Sequence, residues 1–166
     1  AEKAAAMPAP PARLAGSGRL VLVHRPGAPQ SVLVMARPVA AGDVGVRTAR
    51  DVLSTLFGGM FTSRLMQNIR EQHGYSYGAR SAISDDGNLL LLTARSSEQT
   101  AVTGAALAEF KKEFDALASG NVSPHELAKA VSTVQFEAEN LGATTASLAD
   151  ALAELAAAGP PLALPS

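Results

Sequence analysis

Gly58-Gly59-Met60-Phe61-Thr62-Ser63-Arg64-Leu65-Met66-Gln67-Asn68-Ile69-Arg70-Glu71-Gln72-His73-Gly74-Tyr75-Ser76-Tyr77 is the stretch that decides the reading of this chain. A glycine pair closes one helix, because glycine reaches the left-handed C-cap geometry without a side-chain clash. Thr62 or Ser63 then caps a short amphipathic helix on which Phe61, Leu65 and Ile69 recur at four-residue intervals. Gly74 ends that helix, and Tyr75 to Ile83 alternates as a strand. The polar end of the unit is a pair, Arg70 and Tyr77, on either side of a helix-to-strand corner.

Working outward, Arg47 to Phe57 carries Val52, Leu53, Leu56 and Phe57 at helical spacing. Before it come two short apolar strands, Leu20 to His24 and Ser31 to Arg37, joined by the turn Arg25-Pro26-Gly27-Ala28-Pro29. After Tyr77 the sequence predicts a hairpin turn at Asp85-Asp86-Gly87-Asn88 and a buried strand from Leu89 to Thr93. The rest is helical. Ser96 and Gln99 have capping-box spacing, and Val102, Ala106, Phe110, Phe114 and Leu117 form one stripe up to Gly120. Ser123-Pro124-His125-Glu126 is a second capping box, with proline at the first helical position. Its helix carries Leu127, Val131, Val134, Ala138 and Leu141. A third helix follows Thr144-Thr145, with Leu148, Leu152 and Leu155 inward. The order strand-strand, helix-helix, strand-strand, helix-helix-helix gives an α+β fold: an antiparallel sheet with helices packed on one face. Residues 1–18, rich in Ala and Pro, read as a linker or terminus; 19–158 read as one domain, and 159–166 as a Pro-rich tail.

Composition narrows the function classes. The 166 residues suit one domain with a real core, 47% of them hydrophobic and 17% charged. Aromatics are only 4% and alanine is abundant, so helices should pack close on small side chains. A net charge of -1 with no Lys/Arg block gives no electrostatic footprint for nucleic acid. The absence of cysteine excludes disulfides and thiolate metal sites. No apolar run approaches the length that spans a bilayer.

The three histidines, His24, His73 and His125, have no second histidine at helical spacing, so no metal site is legible. His125 reads as a first-turn residue of its capping box, and His73 as a favourable group at a helix C-terminus. There is no Gly-x-Ser-x-Gly elbow, thiol nucleophile or phosphate loop. Asp85-Asp86 is turn chemistry. For Arg70 and Tyr77 the pattern leaves two readings open. Arg70 can simply close a helix while Tyr77 fills a strand face. Two donors held on a rigid corner can also grip a carbonyl or a carboxylate.

Beyond the local pattern, this run resembles the second, metal-free half of the M16 peptidases, the pitrilysin and mitochondrial-processing-peptidase family. The matching residues are Gly58-Gly59, Ser63-Arg64-Leu65, Arg70-Glu71, Gly74 and Tyr77. Arg25-Pro26-Gly27-Ala28-Pro29-Gln30 and Ser123-Pro124-His125-Glu126-Leu127 are similar to the bacterial branch, so the resemblance runs from about Arg19 to Leu141. It implies paired α+β halves, one of which carries His-x-x-Glu-His and zinc. The other contributes an arginine and a tyrosine, here Arg70 and Tyr77, as a substrate-binding pair. This chain has no His-x-x-Glu-His. The expectation is therefore that it binds no cofactor itself, is inactive alone, and works with a zinc-bearing half, in the same polypeptide or a separate subunit, on a peptide substrate. The alternative is a non-proteolytic structural or assembly subunit of the same fold. In the family, the domain continues past the region matched by Ala151 through another helix and a closing strand. The stop in Gly159-Pro160-Pro161 favours a piece of a longer polypeptide, and the bacterial branch leans its location to the periplasm or envelope.

Overall fold

Among the described residues, three antiparallel strands form the sheet, in the order β1-β3-β2, with β1 at Gln30–Pro38, β2 at Ser76–Asp85 and β3 at Leu90–Gln99. The structure is a computed structural model that describes residues 19–39, 44–85 and 90–158. Four α-helices accompany the sheet among these residues: α1 at Val44–Ser54, α2 at Thr103–Ala118, α3 at Pro124–Glu139 and α4 at Thr145–Ala158. Two π-helical segments, Thr55–Gly59 and Met66–Gln72, lie between α1 and β2. The α+β class expected from the sequence is what the chain adopts. The expected segments at 1–18 and 159–166, and the turn after Asp85, lie outside the described residues.

The core forms on one face of the sheet. Leu92 and Ala94 of β3 and Ala79 of β2 point inward against Phe57, Leu65, Ile69, Phe110 and Phe114. Phe57 and Phe114 meet edge to face, ring centroids 4.6 Å apart at 71°, a geometry that the ring quadrupole favours. The stripe predicted on α2 is correct, with Ala106, Phe110 and Phe114 buried. So is the capping box of α3: Ser123 Oγ accepts from the Glu126 N–H at 3.2 Å, and Glu126 Oε2 accepts from the Ser123 N–H at 2.9 Å.

Several local expectations are corrected. Leu20 to Val23 form no strand and stay 65–83% exposed; a short apolar run gains strand geometry only where it finds a partner, and no described strand pairs with it. Ser96 and Gln99 cap no helix, because β3 continues to Gln99 and pairs with β1 and β2 through this polar run. Ser63 is buried, and its hydroxyl finds no hydrogen-bond partner, so it caps nothing. Phe61 is 63% exposed rather than in the core. Leu148 and Leu152 of α4 are also exposed, and Leu155 lies outside the described side chains.

Gly58 and Gly59 stand at the end of their helical segment, but not as the left-handed cap expected of them. Neither has a positive φ. A Cβ on Gly58 would stand 2.3 Å from the Ser81 backbone nitrogen. The glycine lets the segment lie directly on β2, where the Ser81 hydroxyl donates to the Ser54 carbonyl at 2.8 Å. Gly74, by contrast, does take φ +63 as the sequence reading requires.

Candidate functional site

Arg70 sits in the last turn of the π-helix Met66–Gln72. Two buried residues hold that segment on the fold from its inner side, Ile69 in the core and Asn68 against α2. The Asn68 amide donates to Glu109 at 2.8 Å and to Glu113 at 2.7 Å. Lys112 and then Asn68 hold the Glu109 carboxyl below the ordinary carboxylate range. Arg64 ties the start of the same segment to α3. Its Nε donates to Glu126 at 2.8 Å, and its Nη2 donates to Glu126 at 3.1 Å and to the Asn121 carbonyl. The Arg64 guanidinium is the main reason the Glu126 carboxyl is lowered to about 2.

The chain then turns at Gly74 and enters β2 through an irregularity. Ser76 pairs with Glu98 and Ala79 with Ser96, so Tyr77 and Gly78 together face the single residue Ser97. This is a β-bulge, a device that re-aims a side chain out of the regular alternation. Ser76 Oγ stabilises it, accepting from the Gly78 N–H at 3.2 Å and donating to the Ser97 carbonyl at 2.7 Å. Tyr77, carried on the bulge, is 93% exposed. An exposed tyrosine with no packing contribution is poorly explained as filler of a strand face.

Arg70 and Tyr77 line one groove of about 380 Å³, together with Gln30 from the start of β1 and Ser97 and Gln99 from the end of β3. It opens where β1 and β2 begin and β3 ends. The Arg70 guanidinium rests 5.0 Å above the Phe61 ring and 3.3 Å from Glu71. Both contacts are on the surface, where they orient the side chain at little energetic cost to release. Sequence reasoning missed the floor of the groove, since Gln30, Ser97 and Gln99 are ordinary polar residues until the ladder brings them together.

Beneath the groove, Glu98 is fully buried on the inner face of β3. Its Oε2 accepts from Ser96 Oγ at 2.6 Å, while Oε1 has no partner. Burial pushes its carboxyl above the ordinary range, which the Ser96 bond only partly offsets.

The histidines lie on separate elements: His24 before β1, His73 after the π-helix and His125 in the first turn of α3. His73 stacks on Tyr75 with centroids 4.9 Å apart and faces Glu109 at 3.7 Å. No group of three or more His, Asp or Glu side chains that could hold a metal ion occurs among the described residues. No helix among them is long and apolar enough to cross a membrane.

Residues 2–134 match the family described as the peptidase M16 inactive domain. Solved structures share the fold, among them the following three. The peptidase M16 inactive domain of Pseudomonas fluorescens is 22% identical with a TM-score of 0.64, over 80% of this chain and 30% of that one. A conserved protein from Enterococcus faecalis V583 is 21% identical with a TM-score of 0.65, over 82% and 32%. A protease from Helicobacter pylori is 18% identical with a TM-score of 0.66, over 82% and 33%. The chain thus spans about a third of the length of each of these structures. No curated protein matches it.

Proposed function

This chain belongs to the peptidase M16 inactive-domain family, and from that premise we propose that it is the metal-free, substrate-holding half of an M16-type zinc metalloendopeptidase. Its partner is a zinc-bearing half, whether in the same polypeptide or in another subunit. The observation that carries the reading is the shared groove: two donors from different elements, Arg70 on a π-helical turn and Tyr77 on a β-bulge, open onto one cleft. Both irregularities recur where a chain must aim a functional side chain.

In this reading the partner half supplies the metal and the water that it activates. The residues of this chain hold the peptide. Arg70, a planar guanidinium with several N–H donors, takes a backbone carbonyl of the substrate in a charge-assisted bond. The Tyr77 hydroxyl donates to the scissile carbonyl oxygen and to the charge that develops on it. The groove also has acceptors and donors on its floor, Gln30 and Gln99, for neighbouring peptide groups.

The test pairs the chain with its zinc-bearing half and measures chelator-sensitive cleavage of a peptide. Tyr77→Phe removes one hydroxyl from an exposed ring, so folding should be unchanged while kcat falls about 10²–10³-fold. Arg70→Ala should lower kcat/KM and also raise KM, since its bond exists in the ground state too. Folded variants as active as the wild type would refute the gripping role. Absence of any peptidase activity in the assembled wild-type complex would leave a structural or assembly subunit as the reading.

A further inference from the structure

The outer face of the sheet carries a feature that the grip of Arg70 and Tyr77 does not use. Arg80 of β2 and Arg95 of β3 are direct cross-strand partners, and both side chains are exposed on the face opposite the core. Like charges placed directly opposite one another destabilise a sheet. Neither arginine has a carboxylate to offset this: the ion pairs among the described residues involve Arg64, Arg70, His73, Lys111 and Lys112. On the other side of Arg95, its partner in β1 is Val34, itself exposed. The row across the sheet is therefore valine, arginine, arginine, with no negative charge in it.

Arg80 and Arg95 line a second, open depression that shares Gln30, Ser76, Tyr77 and Ser97 with the groove of Arg70 and Tyr77. The two concavities adjoin at these shared residues. Arg80 stands three residues beyond Tyr77 along β2, on the order of 10 Å, which is the reach of about three residues of extended peptide. A peptide held at Tyr77 and running along the outer face thus brings a side chain over the arginine pair.

We propose that Arg80 and Arg95 form a second subsite of this groove, which takes a carboxylate of the bound peptide about three residues from the point held by Arg70 and Tyr77. Two guanidinium forks side by side present parallel N–H donors to both oxygens of one carboxylate, and the bound anion removes the repulsion between them. The substrate class that follows is a peptide with an acidic residue, or its own C-terminal carboxylate, at that distance from the gripped bond. This inference rests on the peptide-holding reading above and adds its specificity.

The experiment uses fluorescent peptides of one scaffold, each bearing a single Glu or its Gln replacement at successive positions, with the C-terminus amidated or free. Binding is followed by anisotropy on the chain, and kcat/KM is measured in the assembled peptidase. At one position the amidated Glu peptide should bind about fivefold tighter than its Gln counterpart, within what an exposed charge pair supplies. The ratio should shrink from ~0.05 M to ~0.5 M salt. In Arg80→Gln/Arg95→Gln it should fall to one, with binding of the Gln peptide unchanged. A preference for the free over the amidated C-terminus, abolished by the same double variant, would identify the terminal carboxylate as the source. Equal binding of all four peptide types by the wild type, or a preference that survives the double variant, overturns the subsite and leaves the grip of Arg70 and Tyr77 standing. If no peptide is bound or cleaved at all, the peptide-holding reading falls and the subsite with it.

Discussion

Replacing Arg64 with alanine should unlatch the segment that carries Arg70, and the structure allows the cost to be worked out. The Arg64 side chain is 10% exposed and joins the start of the π-helical segment to the N-terminus of α3. The interaction lowers the Glu126 carboxyl from an ordinary value of 4.5 to about 2, with Arg64 the largest cause and the Ser123 capping bonds behind it. Each tenfold change in proton affinity is about 1.4 kcal/mol, so the whole gap corresponds to ~3 kcal/mol. Glu126 is 33% exposed, and solvent screening reduces that figure to ~1–2 kcal/mol. A folded-state pKa below the unfolded value contributes stability that is present above the unfolded pKa and lost as the pH falls through the folded one. Here the window runs from about 4.5 down to about 2. Urea denaturation of the wild type and Arg64→Ala should therefore differ by ~1–2 kcal/mol at neutral pH, and the two curves should converge as the pH approaches 2. Glu126→Gln, which replaces the carboxylate with a neutral group of the same shape, should show a similar loss at neutral pH, and its curve should also meet that of the wild type as the pH approaches 2, where the wild-type carboxyl is itself neutral. A difference between wild type and Arg64→Ala that is identical at neutral and acid pH would refute the latch as an ionic one.

Three other outcomes follow from the packing. Phe114→Ala removes a buried ring that meets Phe57 edge to face, and should cost about 3 kcal/mol in a denaturant titration; an unmoved midpoint would place Phe114 outside the core. Gly58→Ala forces a Cβ to 2.3 Å from the Ser81 nitrogen, an overpacking that should cost about 1–3 kcal/mol or more; a neutral effect would show that the segment is free to lift from β2. The purified chain, dialysed and analysed for metals, should retain no stoichiometric zinc; zinc bound at one equivalent and lost on changing one histidine would contradict that.

The parts of the fold legible in the sequence are those where burial is periodic and local. The α2 stripe and the Ser123-Glu126 box are written in a few adjacent turns, and both form as read. What escaped has tertiary causes. Ser96-Ser97-Glu98-Gln99 looks like the start of a helix because polar residues with that spacing cap helices. It is strand because β3 is the central strand, with ladder partners on both sides that outweigh local propensity. Gly58 reads as a helix stop, yet what it supplies is the absence of a Cβ facing β2, and no local pattern announces a contact twenty-odd residues away in sequence.

The candidate site shows the same division. Its two residues are legible through the resemblance alone, while the local pattern leaves Arg70 and Tyr77 explicable as a helix-end cation and a strand filler. Geometry weighs against the second of these. A strand filler is half-buried and alternates regularly, whereas Tyr77 sits on a bulge with 93% of its surface exposed. The first reading survives in part, for Arg70 does lie in the last turn of its helix. Yet its guanidinium turns toward Phe61 and Glu71 and lines the groove, rather than closing the helix end. Those contacts are weak and solvent-exposed, so a peptide carbonyl entering the groove can displace them at little cost. A rigid base and a lightly held donor are what the proposed peptide-holding role calls for, since a chain must be held and its products then released. The base is rigid because Arg64, Asn68 and Ile69 hold the turn from three directions: the α3 cap, the α2 carboxylates and the core.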